Sequence, residues 1–189
     1  NSIGNIYNFI EQEIFDNLYD GDNPFIELGF WPGGDRDGNP FVNAAITLKA
    51  AQALRSAIIV CYYRDVRKLT RRLTFSDVDT MIHSLEEQLY ENVFRPEESN
   101  RISSAELLLQ LTNIRALVVS NHHSLFLQRI DSLIHKVKIF GTHFAALDIR
   151  QDSRIHAQVL LEANTELKAK GQPGILPDNY ATLSPEDKI

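Results

Sequence analysis

The chain has 189 residues, enough for one good-sized core, and its 43% hydrophobic and 9% aromatic content is ordinary globular composition, which excludes disorder as the default. A formal net charge of −6 and a pI near 5.5 exclude a globally basic nucleic-acid binder, so any basic site must be local, and small molecules or further copies of the chain are the expected partners. A single cysteine, Cys61, excludes a disulfide framework and a thiolate metal cluster and fits a reducing cytoplasm.

In chain order, Ile6, Phe9, Ile10, Ile14, Phe15 and Leu18 predict a helix over 3–19, which the turn-forming DGDNP at 20–24 ends. FIELGFW at 25–31 reads as a short strand and runs into the loop WPGGDRDGNP at 31–40. Asn43 can cap a long helix reaching about Leu73, with an apolar stripe of Ile58, Tyr62, Val66, Leu69 and Leu73 and a length of roughly 45 Å. Within it AIIVCYY, 57–63, stops at Arg64, well short of the ~20 apolar residues of a membrane span, and no signal-peptide pattern is present. Phe75 and Ser76 restart the chain, and Val78, Ile82, Leu85 and Leu89 predict another amphipathic helix. After the polar RPEESNRIS, Ser103 and Glu106 form a capping-box signature ahead of Leu107, Leu111, Ile114 and Val118. A second stripe, Phe126, Ile130, Leu133, Val137 and Phe140, is stopped by Gly141. HFAALDI, 143–149, reads as a second buried strand, and a helix follows from Ser153 to about Lys170 and Gly171. Residues 172–189 read as an irregular tail leading into a helix opening at Ser184–Pro185. Met81 is the only methionine and the chain opens on Asn1, so 1–189 is expected to be a single internal piece of a longer polypeptide.

The expectation is therefore a mainly α chain with about six helices and two short β-strands. Two strands cannot make an independent sheet, so they must belong to a larger one. Each strand precedes a loop and a helix, and ligands of parallel α/β sheets and barrels gather at the strands' C-terminal ends. That points to WPGGDRDGNP and RQDSR. In the first, Gly, Asp, Asn and Pro each have a turn-forming reason, but an arginine fixed between two carboxylates has none.

Several familiar motifs fail. Asp35, Asp37 and Asn39 occupy positions 1, 3 and 5 of a calcium loop, but Pro40 replaces the required glycine and Ile46 the bidentate glutamate. A phosphate loop starts plausibly with Gly29 and Gly34, yet Asp35 stands where lysine is needed. The six histidines show no metal-ligand spacing, and no metal site is expected in this chain. Arg64, Arg67, Lys68, Arg71 and Arg72 line one helix face, read either as a solvated face or as an anion or subunit contact. Arg150 directly follows the apolar strand, so a rigid element would aim its planar fork at a phosphate or carboxylate; equally it could form a buried pair with Asp35, Asp37, Asp148 or Asp152. Trp31 is either core or the apolar wall of a ligand pocket.

WPGGDRDGNP and LDIRQDSRIH, in that order and over a hundred residues apart, resemble the phosphoenolpyruvate carboxylase family. The first is similar to its tryptophan-then-GGDRDGNP loop and the second to its DIRQ-acid-Ser segment. The resemblance implies a longer enzyme built as a helix-rich β/α (TIM-like) barrel, of which this piece supplies two strands and their connecting helices. It implies conversion of phosphoenolpyruvate and bicarbonate to oxaloacetate and phosphate, with Mg²⁺ or Mn²⁺ bound outside this piece and no biotin. Phosphoryl transfer to bicarbonate would leave carboxyphosphate and the enolate of pyruvate, which then attacks CO₂; both stages need concentrated positive charge and exclusion of water. By position, Arg150 would hold the phosphate and Trp31 would wall the apolar pocket. Asp35, Arg36 and Asp37 would orient neighbouring basic groups, while Gly33, Gly34 and Gly38 permit the tight turn. A cytoplasmic homotetramer that binds neither nucleic acid nor membrane is the further expectation. Pro32 departs from the family's methionine, and Ile155 from an arginine that commonly precedes the histidine matched by His156. The family's catalytic-histidine segment, metal carboxylates and glycine-rich arginine loop have no counterpart, so the piece alone is expected to be inactive. The rival is a non-catalytic helical module binding phosphate or a partner through the basic face.

Overall fold

The computed structural model describes residues 28–37, 39, 41–177 and 179–184. The helix expected over 3–19, its terminating turn, the strand residues 25–27, Gly38 and the helix opening beyond Ser184 lie outside the described residues. The described chain is mostly helical with two short parallel strands, as the sequence predicts. In order it runs β1 (Gly29–Phe30), α1 (Ala44–Thr70), α2 (Ser76–Phe94), α3 (Ser104–Asn121), α4 (Leu127–Phe140), β2 (Ala146–Leu147) and α5 (Ser153–Ala169), with a 3₁₀ turn at Tyr180–Thr182. It divides into two units, the first comprising 28–30 and 44–147 among the described residues, the second 31–43 and 148–184.

The first unit holds the core. Ile58, Tyr62, Val66 and Leu69 of α1 meet Val78, Ile82, Leu85 and Leu89 of α2, Leu107, Leu111, Ile114 and Val118 of α3, and Ile130, Leu133 and Val137 of α4 in one buried cluster. Each fully buried aliphatic side chain there contributes about 1.5–3 kcal/mol relative to exposure, enough to hold four amphipathic helices together. By length and composition α1 is also apolar enough to cross a membrane. Its Leu54, Ile58, Ile59, Tyr62, Tyr63, Val66 and Leu69 are nevertheless buried within the protein. Cys61 is exposed on the same helix.

Local chemistry sets the helix ends. Ser103 caps α3 by accepting from the Glu106 amide (3.2 Å), while the Glu106 carboxylate accepts from the Ser103 amide (2.8 Å), the reciprocal box expected from sequence. Those bonds hold the Glu106 carboxyl below its ordinary range. Gly141, at φ +53°, closes α4 by donating to Val137 O (2.9 Å). The buried Tyr62 hydroxyl is shared between the carbonyls of Gly141 (2.7 Å) and Lys136 (3.2 Å), and burial pushes its phenol pKa well up. Phe126 departs from expectation. It sits at φ +62°, just before α4, and is 37% exposed, because the α3–α4 connection turns through left-handed His123, Ser124 and Phe126.

β2 is shorter than its apolar run 143–149, while of the run 25–31 the described residues 28–31 contribute Gly29 and Phe30 to β1. β1 and β2 pair in parallel with Gly29 opposite Ala146 and Phe30 opposite Leu147, and Ala146 N donates to Leu28 O (2.9 Å). Before β2, Phe144 is left-handed (φ +71°) and donates back to Phe140 O, so 143–145 form a turn and not a strand. In the second unit, α5 buries none of its residues, and Ile155, Val159 and Leu161 remain 46%, 56% and 45% exposed.

Candidate functional site

The WPGG segment makes a tight turn of type II character. Pro32 presets the second position, Gly33 takes the left-handed third (φ +87°), and Gly34 N donates to Trp31 O at 2.9 Å. Pro32 thus fits the conformation this loop adopts. Gly34 is buried, and a Cβ there would lie 1.9 Å from the backbone oxygen of Asp148, so only glycine admits the approach of the two chains.

That approach pairs the two sequence motifs. Arg150 N donates to Gly34 O (3.0 Å) and Arg36 N donates to Arg150 O (2.9 Å), which makes a parallel bridge between Asp35 and Arg150. Arg150 is therefore fixed by backbone bonds through both its amide and its carbonyl. Its side chain is positioned twice more. The guanidinium carbon lies 4.8 Å from the centroid of the Trp31 ring, and Nε donates to Asp148 Oδ2 at 3.2 Å. Of the four acids that could have paired with it, Asp148 does so, and the pair is open: the side chains are 56% and 55% exposed. Among the described residues the Arg150 Nη groups make no hydrogen bond, so two donors of the fork are available beside an aromatic face.

A cavity of about 210 Å³ adjoins the turn, lined by Trp31, Pro32, Gly33, Asp35, Asn39 and Val42. Asp35 and Arg36 are half-buried and Asp37 is exposed. Asn39 folds back, its Oδ1 accepting from Phe41 N at 3.0 Å. After the bridge, Asp152 caps α5 by accepting from Arg154 N (2.8 Å) and pairs with the Arg154 guanidinium; those bonds hold its carboxyl down to about 2. Arg154 is thereby engaged within its own turn.

The structure thus gathers Trp31, Gly33, Gly34, Asp35, Arg36 and Arg150 around one turn and one bridge. Sequence reasoning passed over Asn39 and Val42 as pocket walls, although an asparagine before a proline is itself a turn signal. The five basic residues do not all share one helix face: α1 ends at Thr70, so Arg71 and Arg72 fall in the turn after it, where Arg72 lies 5.8 Å from the Phe126 ring centroid, while on α1 itself Arg67 reaches Glu86 (3.8 Å) and Tyr63 and Lys68 reaches Asp65 (3.1 Å). Lys136 also holds Asp65 (2.9 Å); burial alone would raise that carboxyl, but the two lysines draw it down.

Five helices and one short parallel strand pair, with a charged loop after each strand, make this a mainly helical chain that carries a piece of parallel sheet. A model of the phosphoenolpyruvate carboxylase family matches residues 3–103 and 82–189, and the chain belongs to that family. The phosphoenolpyruvate carboxylase of Thermosynechococcus vestitus is 30% identical over 239 aligned positions, which cover 98% of this chain and 23% of that protein. The Aeromonas hydrophila protein of the same name is 28% identical over 86% of this chain and 21% of its own length, and that of Nitrosomonas eutropha 32% identical over 73% and 19%. The chain thus spans about a fifth of the length of the curated relatives it matches.

Proposed function

We propose that this chain is part of a phosphoenolpyruvate carboxylase that carboxylates phosphoenolpyruvate with bicarbonate, giving oxaloacetate and phosphate. The observation that carries the reading is the Arg150 guanidinium stacked 4.8 Å over Trp31, on a backbone bonded to Gly34 and Arg36, within a chain of that family. In the proposed reaction the open Nη donors of Arg150 hold the phosphate of the substrate, then that of carboxyphosphate, so positive charge is in place as the phosphoryl group moves to bicarbonate. Trp31 and Pro32 form an apolar wall that keeps water from the enolate carbon until it attacks CO₂. Asp148 orients the guanidinium, and Asp35, Arg36 and Asp37 set the charge around the turn. β1 and β2 would be two strands of a larger β/α barrel completed by the rest of a cytoplasmic homotetrameric enzyme. Among the described residues no group of three or more His, Cys, Asp or Glu side chains could hold a metal ion. They do not fit Mg²⁺ or Mn²⁺, whose ligands would belong to the remainder of the polypeptide.

The test is Arg150→Ala and Arg150→Lys in the full-length enzyme. Losing a preorganised donor to a charged transition state should lower kcat by roughly 10²-fold or more for alanine, with lysine restoring little because it lacks the planar fork. Turnover within twofold of wild type in Arg150→Ala would overturn the assignment.

A further inference from the structure

A second cavity, of about 140 Å³, lies in the helical unit and is lined by no residue of either sequence motif. Gln52, Arg55, Ser56 and Ile59 fall on one face of α1 and form one wall; Asn92, Pro96, Glu97 and Arg101, from the end of α2 and the loop after it, form the other. Two arginines, the half-buried Arg55 and the exposed Arg101, therefore line one small space. Arg55 donates to the carbonyls of Ile102 (2.9 Å) and Thr142 (3.4 Å), which anchors it without neutralising it. Arg101 has no ion pair among the described residues, yet its backbone is fixed: Asn92 donates to Asn100 O and accepts from Ile102 N, both at 3.1 Å, and Ile102 is buried. Glu97, the one acid of the lining, makes no ion pair with either arginine. Burial first, and the positive charge of Arg101 second, lower the Arg55 pKa. Two like charges held together at a cavity cost energy that an anion between them would recover.

We propose that this cavity binds a phosphoryl dianion between Arg55 and Arg101, with the Gln52 amide and Ser56 hydroxyl as further donors. Donors on two facing walls suit a tetrahedral group, which offers three terminal oxygens, better than a planar carboxylate, which offers two. The site shares no lining residue with the Arg150 turn and does not depend on the reading of that turn. Its test uses the full-length protein carrying Arg150→Ala, so that phosphate binding at the turn does not contribute. Calorimetric titration with inorganic phosphate, at ionic strength held constant with chloride, should show saturable binding. Arg101→Ala should weaken it about tenfold, the usual worth of one charge-assisted contact. Arg101→Glu should abolish it and Glu97→Gln should tighten it, while acetate should bind more weakly than phosphate. Methyl phosphate binding alongside inorganic phosphate would assign the site to a phosphorylated molecule, and inorganic phosphate alone to the free ion. No saturable binding, equal affinity in Arg101→Ala, or acetate binding as tightly as phosphate would overturn the proposal.

Discussion

At the scale of single residues, the site turns on a backbone contact that only one residue type allows. The missing side chain of Gly34 lets the loop come against Asp148 O, and the resulting bridge fixes Arg150. Gly34→Ala places a methyl carbon 1.9 Å from that oxygen, so the two chains must separate. We expect a loss of about 1–3 kcal/mol, the usual range for overpacking, and a fall in full-length turnover close to that of Arg150→Ala. Thermal unfolding with steady-state kinetics checks both; an unchanged Tm with normal turnover would show that the close approach is absent in solution. Asp152 gives a second test. Its carboxyl, held to about 2 by Arg154, is more acidic than an unfolded aspartate near 3.9, so it favours the capped α5 terminus above about pH 4, and that contribution fades as pH falls toward 2. A carbon-detected NMR titration should find its midpoint near 2; one near 4 would mean that the Arg154 pair does not form. The residue roles were legible in unequal measure. Glycine and proline carry their conformational reasons in their own structure, so the turn could be read directly. Which of four acids meets Arg150 depends on how two distant chains register, and sequence left Asp35, Asp37, Asp148 and Asp152 equally open. The Arg55–Arg101 pair had no local signature, since one lies on a helix face and the other in a loop far along the chain.

At the scale of elements, helices could be read closely because their signals are local, whereas strands could not. The stripes of α1, α2 and α3 and the box at Ser103 are set by neighbours three and four residues apart, and the structure keeps them. A strand exists only where a partner lies beside it, so the apolar run 143–149 overstates what pairs: only Ala146 and Leu147 of it form β2. Phe126 failed for a related reason, as its helical spacing is broken by a connection with three left-handed residues. The cap of α3 is testable because both halves of its box are present. Ser103→Ala removes the oxygen that accepts the Glu106 amide and the hydroxyl that donates to its carboxylate. A loss of about 1 kcal/mol is expected in denaturant unfolding, and Ser103→Asp, which keeps an acceptor, should recover most of it. Equal loss from both variants would indicate that the hydroxyl contributes through packing and not through the cap.

At the scale of the whole molecule, the decisive contrast is between helices that bury their apolar stripe and one that does not. α1 to α4 share a single core, so their amides should open only with that core. α5 has 17 residues and no buried side chain, and a helix of that length is marginal in water when nothing covers it. Its exposed Ile155, Val159 and Leu161 are what a chain spanning about a fifth of its relatives should carry if the remaining polypeptide is to cover them. Hydrogen exchange should therefore find residues 153–169 unprotected within seconds in the 189-residue chain, while 76–94 and 104–121 hold for far longer. In the full-length enzyme the protection of 153–169 should rise toward that of the core helices. The same piece should form no oxaloacetate from phosphoenolpyruvate and bicarbonate, because the proposed reaction draws on it only for the Arg150 turn, and among its described residues no group of three or more His, Cys, Asp or Glu side chains could hold a metal ion. Measurable oxaloacetate from the isolated chain would refute the assignment of the remaining catalytic groups to the rest of the polypeptide. Protection of 153–169 equal to that of 76–94 in the isolated chain would show that α5 has a partner within these residues, and that its apolar face is not waiting for the rest of the enzyme.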